Sequence, residues 1–290
     1  MSLVRRDFLK TLGLIGASLT VGKSLGATTK KKNKTEFYGV LIDTTRCVGC
    51  RACEWSCAEA NGLPEPTEDE GVKIRKTSVS RWTAVSEYGT EDNPIYVKKQ
   101  CMQCMQPACA SACLTKAMNK TDEGPIVWRE DKCMGCRSCM ISCPFDVPKF
   151  EYDSPNPKIQ KCQMCFERLE EGGVPACVEN CGGDALLFGK RKDLLEVARS
   201  RIYNNLDDYY HHVYGEHEVG GTGVLYLSSV PFEQLGFRED LGTTAYPEYN
   251  KNFLYSVPVV LILWPVFLLG LNNSTKENKK LNEKKTDNHG

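Results

Sequence analysis

The sixteen cysteines are the feature that most constrains what this chain can fold into. They form four groups of four with none left over, and each group opens with a Cys-x2-Cys pair and closes with a Cys-x3-Cys pair. We number these quartets in chain order: Cys47, Cys50, Cys53 and Cys57; Cys101, Cys104, Cys109 and Cys113; Cys133, Cys136, Cys139 and Cys143; and Cys162, Cys165, Cys177 and Cys181. Sulfur at this density indicates a disulfide framework, zinc sites or iron–sulfur clusters.

The spacing within the quartets favours 4Fe–4S clusters. Quartets one and three have the Cys-x2-Cys-x2-Cys-x3-Cys spacing that binds such clusters in bacterial ferredoxins. Three thiolates on one tight loop hold a cubane, while the fourth cysteine points away and ligates a neighbouring cluster, so clusters come in pairs. Glycine at Gly49 and Gly135 lets the loop backbone come close to its cluster. We therefore expect four 4Fe–4S clusters, with all sixteen cysteines as ligands of their iron.

Quartet four leaves one alternative open. Its central gap is eleven residues long, against two residues in quartets one and three and four residues in quartet two. If quartet four fails to bind, or holds a smaller cluster, the chain carries three 4Fe–4S clusters instead of four.

Zinc and disulfide frameworks fit the cysteine pattern less well. Zinc sites usually separate two Cys-x2-Cys pairs by a dozen or more residues, which the compact quartets one and three do not do. An even number of cysteines suits disulfides in an exported protein, but disulfide frameworks do not repeat one loop spacing four times. No Cys-x2-Cys pair is followed by His, which excludes covalent haem attachment. A non-redox metal-binding or structural protein is thus the weaker alternative.

The charge of the chain is distributed unevenly, although the formal net charge is zero. Residues 1–34 carry eight Lys and Arg and one acid, and residues 272–290 carry five Lys and three acids. The segment between them, 35–271, holds 24 basic and 33 acidic residues, a net charge of −9. Nucleic-acid binding needs basic patches, so this acidic body argues against a nucleic-acid partner.

The N-terminal 27 residues have the pattern of an export signal. Arg5 and Arg6 are followed by "DFLK" and then by the mildly apolar stretch "TLGLIGASLTV", which is typical of a twin-arginine signal. Such signals carry folded proteins across the bacterial inner membrane, which suits a protein whose clusters are inserted before export. A basic N-terminal helix is the alternative. Ala27 is a possible cleavage site, but Leu25 stands where signal peptidase sites prefer a small residue. Whether the signal is removed is therefore left open. Residues 28–36 are expected to form a linker.

Near the C-terminus, residues 253–271 form an uncharged apolar segment long enough to cross a membrane, "FLYSVPVVLILWPVFLLGL". Pro258 and Pro265 inside it are tolerated better in a membrane helix than in a soluble one. Lysines are concentrated in the tail 272–290, which the positive-inside rule places in the cytoplasm. We expect a single-pass protein on the periplasmic side of the inner membrane, with its C-terminus in the cytoplasm. A buried core helix is the alternative.

Several segments carry clear secondary-structure patterns. Strands are expected at "IYVKKQ", which leads into quartet two, and at "PIVWREDKC", which leads into quartet three. Residues 191–209 predict a helix, and "GGTGVLYLSSV" predicts a turn followed by a strand. The apolar stripe of the helix is expected to consist of Leu194, Leu195 and Val197. Together these segments make up an extension, 191–250, between the cysteine-rich region and the apolar segment.

The sequence shows no enzymatic machinery. Paired acids, a nucleophile triad and a dinucleotide-binding glycine loop are all missing from it. We therefore expect a non-catalytic protein that transfers single electrons between clusters and adjusts their potentials through burial and hydrogen bonds.

Over residues 37–190 the chain resembles the four-cluster ferredoxin-type subunits of membrane-bound respiratory oxidoreductases. The stretches that carry the resemblance are "CMQCMQPAC", "CMGCRSCMISCPFDVPKF" and "KCQMCFERLEEGGVPACVENC". The export signal, the single C-terminal span and residues 213–237, "VYGEHEVGGTGVLYLSSVPFEQLGF", make it most similar to the membrane-anchored iron–sulfur subunit of hydrogenase-2 type uptake hydrogenases. Formate dehydrogenase beta subunits have a similar core and a similar C-terminal helix, but there the catalytic subunit usually carries the export signal.

The resemblance implies an α+β fold of two ferredoxin-like di-cluster units related by pseudo-symmetry, plus a C-terminal transmembrane helix. Spacing alone also permits quartet one to pair with two and three with four. In the family the two central quartets form one unit, at about 95–150, which is inserted in the outer one. The ligand sets that this implies are Cys47, Cys50, Cys53 and Cys181; Cys57, Cys162, Cys165 and Cys177; Cys101, Cys104, Cys109 and Cys143; and Cys113, Cys133, Cys136 and Cys139.

The resemblance also implies partners. The chain would receive electrons from a hydrogenase, made of small and large subunits, and pass them to an integral membrane subunit that reduces quinone. The alternative is the same role in a molybdenum enzyme, such as a formate dehydrogenase or a polysulfide reductase.

Overall fold

The computed structural model describes residues 36–67 and 71–286, with side chains described up to residue 276. The export signal 1–27, and the linker up to residue 35, lie outside the described residues, so both remain predictions. Of the described residues, those up to residue 250 form one compact unit, and residues 251–286 belong to a second.

The described residues form short strands and helices joined by long loops. In chain order the strands are β1 (Tyr38–Asp43), β2 (Ala84–Gly89), β3 (Pro94–Lys99), β4 (Met118–Lys120), β5 (Ile126–Trp128), β6 (Lys149–Phe150), β7 (Ile159–Gln160), β8 (Leu186–Lys190) and β9 (Val224–Leu227). The α-helices are α1 (Ala52–Ala60), α2 (Ala108–Ser111), α3 (Ser138–Ile141), α4 (Phe166–Glu170), α5 (Ala176–Glu179), α6 (Arg191–Asn204) and α7 (Tyr246–Thr286). The prediction of a mixed α and β fold is confirmed at this level.

A three-stranded sheet in the order β8-β1-β9 lies at the centre of the compact unit. Strand β1 pairs with β8 antiparallel and with β9 parallel. Because side chains alternate between the faces of a strand, Val40 and Ile42 share one face and Leu41 points to the other. Val40 and Ile42 pack with cysteine-loop residues such as Met164 and Cys177, whereas Leu41 packs under α6. The sheet thus separates the cysteine-rich loops from α6.

The strand predictions are confirmed: "IYVKKQ" contains all of β3 except its first residue, "PIVWREDKC" contains β5 and "GGTGVLYLSSV" contains β9. Strand β3 forms an antiparallel hairpin with β2, and β4–β5 and β6–β7 form two smaller ribbons. Since β9 pairs directly with β1, the segment 191–250 completes the central sheet rather than lying beside it.

Helix α6 differs from its prediction in length and in its buried side. It ends at Asn204 and not at residue 209. Leu194 is buried as expected and Leu195 packs against the core, but Val197 is 38% exposed and Ala198 is fully buried. Residues four apart in a helix lie on one side, so Ala198 follows Leu194 on the buried face and Val197 falls at its edge. The prediction that Val197 belongs to the buried stripe is wrong.

Helix α7 contains the predicted apolar segment 253–271 together with Pro258 and Pro265. Among the described residues it is the helix long and apolar enough to cross a membrane, and the most apolar 18-residue window within Tyr246–Lys276 has a mean hydropathy of 2.2. None of that apolar window is buried in the protein, which does not fit the alternative of a core helix.

Candidate iron–sulfur cluster sites

The opening Cys-x2-Cys loops of all four quartets share one backbone conformation. In each loop the residue just before the second cysteine has a positive φ, at Gly49 (69°), Gln103 (50°), Gly135 (71°) and Met164 (57°). A side chain rarely adopts this left-handed conformation, so its occurrence at Gln103 and Met164 marks a fixed loop shape. In quartet four the loop also brings the Met164 N–H to 3.4 Å from the Cys162 Sγ. The four loops therefore share this left-handed turn at the residue before their second cysteine.

A second repeated feature follows the last cysteine of quartets two, three and four. The third residue after that cysteine has a positive φ, and its N–H donates to the carbonyl oxygen of the cysteine at 3.2–3.4 Å. These turn residues are Lys116, Asp146 and Asp184. The turn follows Pro144 in quartet three but also forms after Leu114 and Gly182, so proline is not required for it.

Short helices carry the third cysteine of each quartet. Helix α1 contains both Cys53 and Cys57, while α2, α3 and α5 contain Cys109, Cys139 and Cys177. The fourth cysteine follows four residues later, one helical turn further along the same side. Helix α1 packs against α5, and α2 packs against α3. The helices of quartets one and four therefore meet, as do those of quartets two and three.

Two cavities are each lined by four cysteines from two different quartets. One is lined by Cys47, Cys50, Cys53 and Cys181, which we name site A. The other is lined by Cys57, Cys162, Cys165 and Cys177, which we name site B. Each cavity thus combines three thiols of one quartet with the fourth thiol of the other, the grouping that the resemblance implies for quartets one and four.

The remaining eight thiols form two further groups. Site C consists of Cys101, Cys104, Cys109 and Cys143: burial raises the pKa of Cys104 well above its usual value, and the other three thiols raise it further. Site D consists of Cys113, Cys133, Cys136 and Cys139: burial raises the pKa of Cys139 to about 11, with contributions from the other three. The structure therefore brings together all four of the predicted ligand sets.

The donor sets suit iron–sulfur clusters better than the alternatives. All sixteen cysteines lie in the described residues, and each is a free thiol. Within the described residues no three Cys, His, Asp or Glu side chains lie close enough to hold a single metal ion, as a zinc site requires. Backbone N–H groups also face sulfur, with Met118 N donating to Cys113 Sγ at 3.3 Å. Four soft thiols around one cavity, with amide donors nearby, fit a 4Fe–4S cubane.

The four sites are arranged in the order A, B, C, D. Cys53 of site A is a neighbour of Cys177 of site B. Cys162 of site B likewise adjoins Cys101 of site C. Cys109 of site C adjoins Cys139 of site D. A cluster at each site would therefore have its next partner close by.

Three comparisons with known proteins bear on these sites. The model of a 4Fe–4S dicluster domain matches residues 93–191, which contain quartets two, three and four. A protein of Nitratidesulfovibrio vulgaris is 46% identical over 291 residues, covering 96% of this chain and 78% of that protein. The hydrogenase-2 operon protein HybA of Escherichia coli O157:H7 is 34% identical over 319 residues, covering 95% of this chain and 96% of HybA. This chain belongs to the HybA family of 4Fe–4S electron-transfer subunits.

The similarity of this HybA-family chain to formate dehydrogenase subunits covers a smaller part of the chain. The iron–sulfur subunit of the nitrate-inducible formate dehydrogenase of Escherichia coli K12 is also 34% identical, but over 197 residues, covering 64% of this chain and 66% of that subunit. The shared part is thus smaller than in HybA, while the identity is the same.

Several residues beside the sites could not be found from cysteine spacing. Glu54, on α1 between Cys53 and Cys57, is buried and accepts bonds from Arg75 at 2.6 Å and from the Val85 N–H at 2.6 Å. Glu54 thus joins α1 to Arg75 and, through the Val85 N–H, to β2. Lys98 and Lys161 are also buried next to cysteines. A lysine close before a quartet, in "KKQC" and "QKC", is the only sequence signal for these two.

Proposed function

We propose that this HybA-family chain is a membrane-anchored relay that passes electrons through four 4Fe–4S clusters, one at each of sites A to D. Its partners would be a periplasmic hydrogenase, at its small subunit, and an integral membrane subunit that reduces quinone. The observation that carries the proposal is the gathering of sixteen free thiols into four adjoining groups of four. A protein of one or two clusters would not need this arrangement.

The chain would supply binding, spacing and insulation. When bound, each cluster accepts one electron and releases it to the next, with no bond made or broken in the protein. The cysteines hold the iron, and the loop amides donate hydrogen bonds to sulfur. The buried thiols of sites B and C keep water away from the middle of the relay, which limits side reactions.

We further propose two nested di-cluster units, in which quartets two and three form the central one at about 95–150 and quartets one and four form the outer one within 37–190. The packing of α2 against α3 and of α1 against α5 supports this division. The repeated loop and turn conformations support a relationship between the units.

The membrane topology is a proposal of the same kind. Helix α7 would cross the inner membrane once, the lysine-rich tail 272–290 would lie in the cytoplasm and the cluster-binding body would be periplasmic. The apolar, unburied character of α7 supports an anchor, and the charge difference across it supports the direction. A reporter that is active only in the cytoplasm, fused after residue 290, should be active; activity only of a periplasmic reporter would overturn this topology.

The hydrogenase partner is favoured over a molybdenum enzyme by the extent of similarity. The chain covers 96% of HybA but 66% of the formate dehydrogenase subunit at the same identity. The molybdenum alternative retains support because that subunit shares the cysteine-rich region.

The test is metal analysis of the complex purified from membranes with this chain. We expect nickel and, in this chain, about 16 iron atoms and about 16 inorganic sulfides, with reduced-cluster signals in low-temperature EPR. Molybdenum without nickel would establish the alternative partner. Zinc, with no reduced-cluster signal, would overturn electron transfer altogether. About 12 iron atoms would favour three clusters.

A further inference from the structure

Two lysines are buried inside the cysteine-rich region, where charged side chains are normally excluded. Lys98 is 1% exposed and Lys161 is 2% exposed. A lysine is almost never fully buried unless its charge is compensated. Neither lysine forms an ion pair with a carboxylate among the described residues. The compensation must therefore come from other groups.

Lys98 lies between sites A and B. It is in β3, three residues before Cys101, and its side chain lines the site A cavity together with the four thiols there. Its Nζ donates to the Gln100 Oε1. Its ammonium group also adjoins the site B thiol Cys177, with which it forms a hydrogen bond. The charge of Lys98 therefore acts on both sites.

Lys161, like Lys98, is buried beside cysteines, in this case those of site C. It directly precedes Cys162 of site B, and its Nζ donates to the Ile126 carbonyl and to the Cys162 carbonyl, at 3.0 Å for the latter. Its charge acts on three of the four site C thiols, which are Cys101, Cys109 and Cys143. The two lysines thus lie along the interior of the relay.

The burial of these charges has an electrostatic reason. An ammonium group removed from water loses several kcal/mol of solvation unless anions replace the water. The cysteines of site A, whose cavity Lys98 lines, would supply such anions as thiolate ligands of a cluster. A 4Fe–4S cluster with four thiolate ligands is an anion, and reduction adds one more negative charge. A fixed cation nearby stabilises the reduced form and so raises the reduction potential.

We propose that Lys98 raises the reduction potentials of the clusters at sites A and B, and that Lys161 raises the potential of the cluster at site C. The inference rests on the proposed function, since it requires clusters at these sites. Site D is the internal reference, because no buried lysine adjoins it in the described part of the chain: the neighbouring Arg137 is exposed. The lysines are positioning residues, which act through the clusters and not on a substrate.

The test is an EPR-monitored redox titration of the membrane complex carrying Lys98→Met or Lys161→Met. Methionine removes the charge and keeps most of the side-chain volume. We expect reduction of the nearest cluster to become about tenfold less favourable, a fall of about 59 mV for a one-electron couple. The site D signal should not move. Lys98→Arg and Lys161→Arg, which keep the charge, should restore most of the shift.

Matched controls separate a local effect from a change in total charge. Lys99→Gln changes the next residue of β3, whose Nζ contacts Tyr88 and the Gly236 carbonyl and on which no thiol acts. Lys158→Gln changes an exposed lysine that pairs with Glu130 at 2.9 Å. Neither control should shift any potential.

Iron analysis of each variant separates the outcomes. Full iron content with unchanged potentials in both methionine variants would overturn the inference and leave the proposed function intact. Loss of iron in both would also overturn it, because the lysines would then be needed to seat the clusters. Absence of iron–sulfur signals from the wild-type complex would be a failure of the proposed function itself.

Discussion

Sites B and C lie in the interior of the protein, whereas sites A and D reach its surface. Three of the four thiols of site B are buried, and the exposed cysteines of the chain, Cys50 and Cys136, belong to sites A and D. The exposed loop residues Val48 and Met134 adjoin those two cysteines. The same loop structure therefore serves two tasks: insulation in the middle of the relay and access at its ends. The difference predicts that the same type of substitution will lower stability more at an interior site than at an end site.

The largest effect is expected from Cys177→Ser at the interior site B. Cys177 packs in the main core with Val40 and Met164, so loss of its cluster removes a link between core segments. Because metal binding contributes to folding, iron should fall from about 16 to about 12 atoms per chain and Tm should fall by on the order of 10 °C. Iron analysis and thermal unfolding followed by circular dichroism measure these changes.

Cys136→Ser at site D is the matched control. Its side chain is exposed, so the variant should lose the site D signal in EPR but keep a Tm close to that of the wild type. Equal losses of Tm in the two variants would contradict the difference between interior and end sites.

The next effect concerns the ion pair that holds α1, the helix shared by sites A and B. Glu54→Gln removes the carboxylate that faces the buried Arg75 guanidinium, and losing one partner of a buried pair costs roughly 3–5 kcal/mol. Chemical denaturation should show this loss of stability. Lys73→Gln, which breaks the exposed Lys73–Glu87 pair beside the same hairpin, should cause no resolvable change. A Glu54→Gln variant as stable as the wild type would show that α1 is held by its cysteines alone.

Replacing the loop glycines of sites A and D by alanine should lower the stability less, and by different amounts at the two sites. Gly49 and Gly135 have nearly the same φ, so alanine costs about 1 kcal/mol at either position. At Gly49 a Cβ would also lie 2.5 Å from the Tyr96 ring, whereas at Gly135 the nearest atom, in Phe150, is 3.9 Å away. Gly49→Ala should therefore lose a further ~1–3 kcal/mol. Denaturation midpoints that fall equally in the two variants would mean that Tyr96 moves aside without cost.

What the sequence could predict is mostly local. Local features such as the cysteine loops, the strand of "IYVKKQ" and the apolar segment in α7 depend on residues close in sequence. A single sequence is therefore enough to predict them. The pairing of quartets is not local, because Cys57 meets Cys162 only through tertiary packing, and spacing left two pairings open. The left-handed residues Gln103 and Met164 carry no glycine signal. The two lysines of "KKQC" do not show from sequence which of them, Lys98 or Lys99, turns inward.

The smallest effect, a change in rate alone, is expected at the exposed loops of the end sites. Val48 is 68% exposed and Met134 is 64% exposed, and an apolar side chain beside an exposed cluster ligand suits contact with another subunit. Val48→Glu and Met134→Glu should each slow electron transfer severalfold, about 1 kcal/mol, with iron content and Tm unchanged. Tyr203→Glu, at an even more exposed aromatic residue on α6, should have no effect.

These two variants also show which end of the relay receives electrons and which end passes them on. Stopped-flow spectroscopy of the complex follows cluster reduction after hydrogen is added and cluster reoxidation after a quinone analogue is added. The variant at the end that faces the hydrogenase should slow reduction only, and the variant at the quinone end should slow reoxidation only. If both variants slow the same step, electron exchange with one partner depends on both ends. In that case the exposure of Cys50 and Cys136 does not mark the two termini of the electron path.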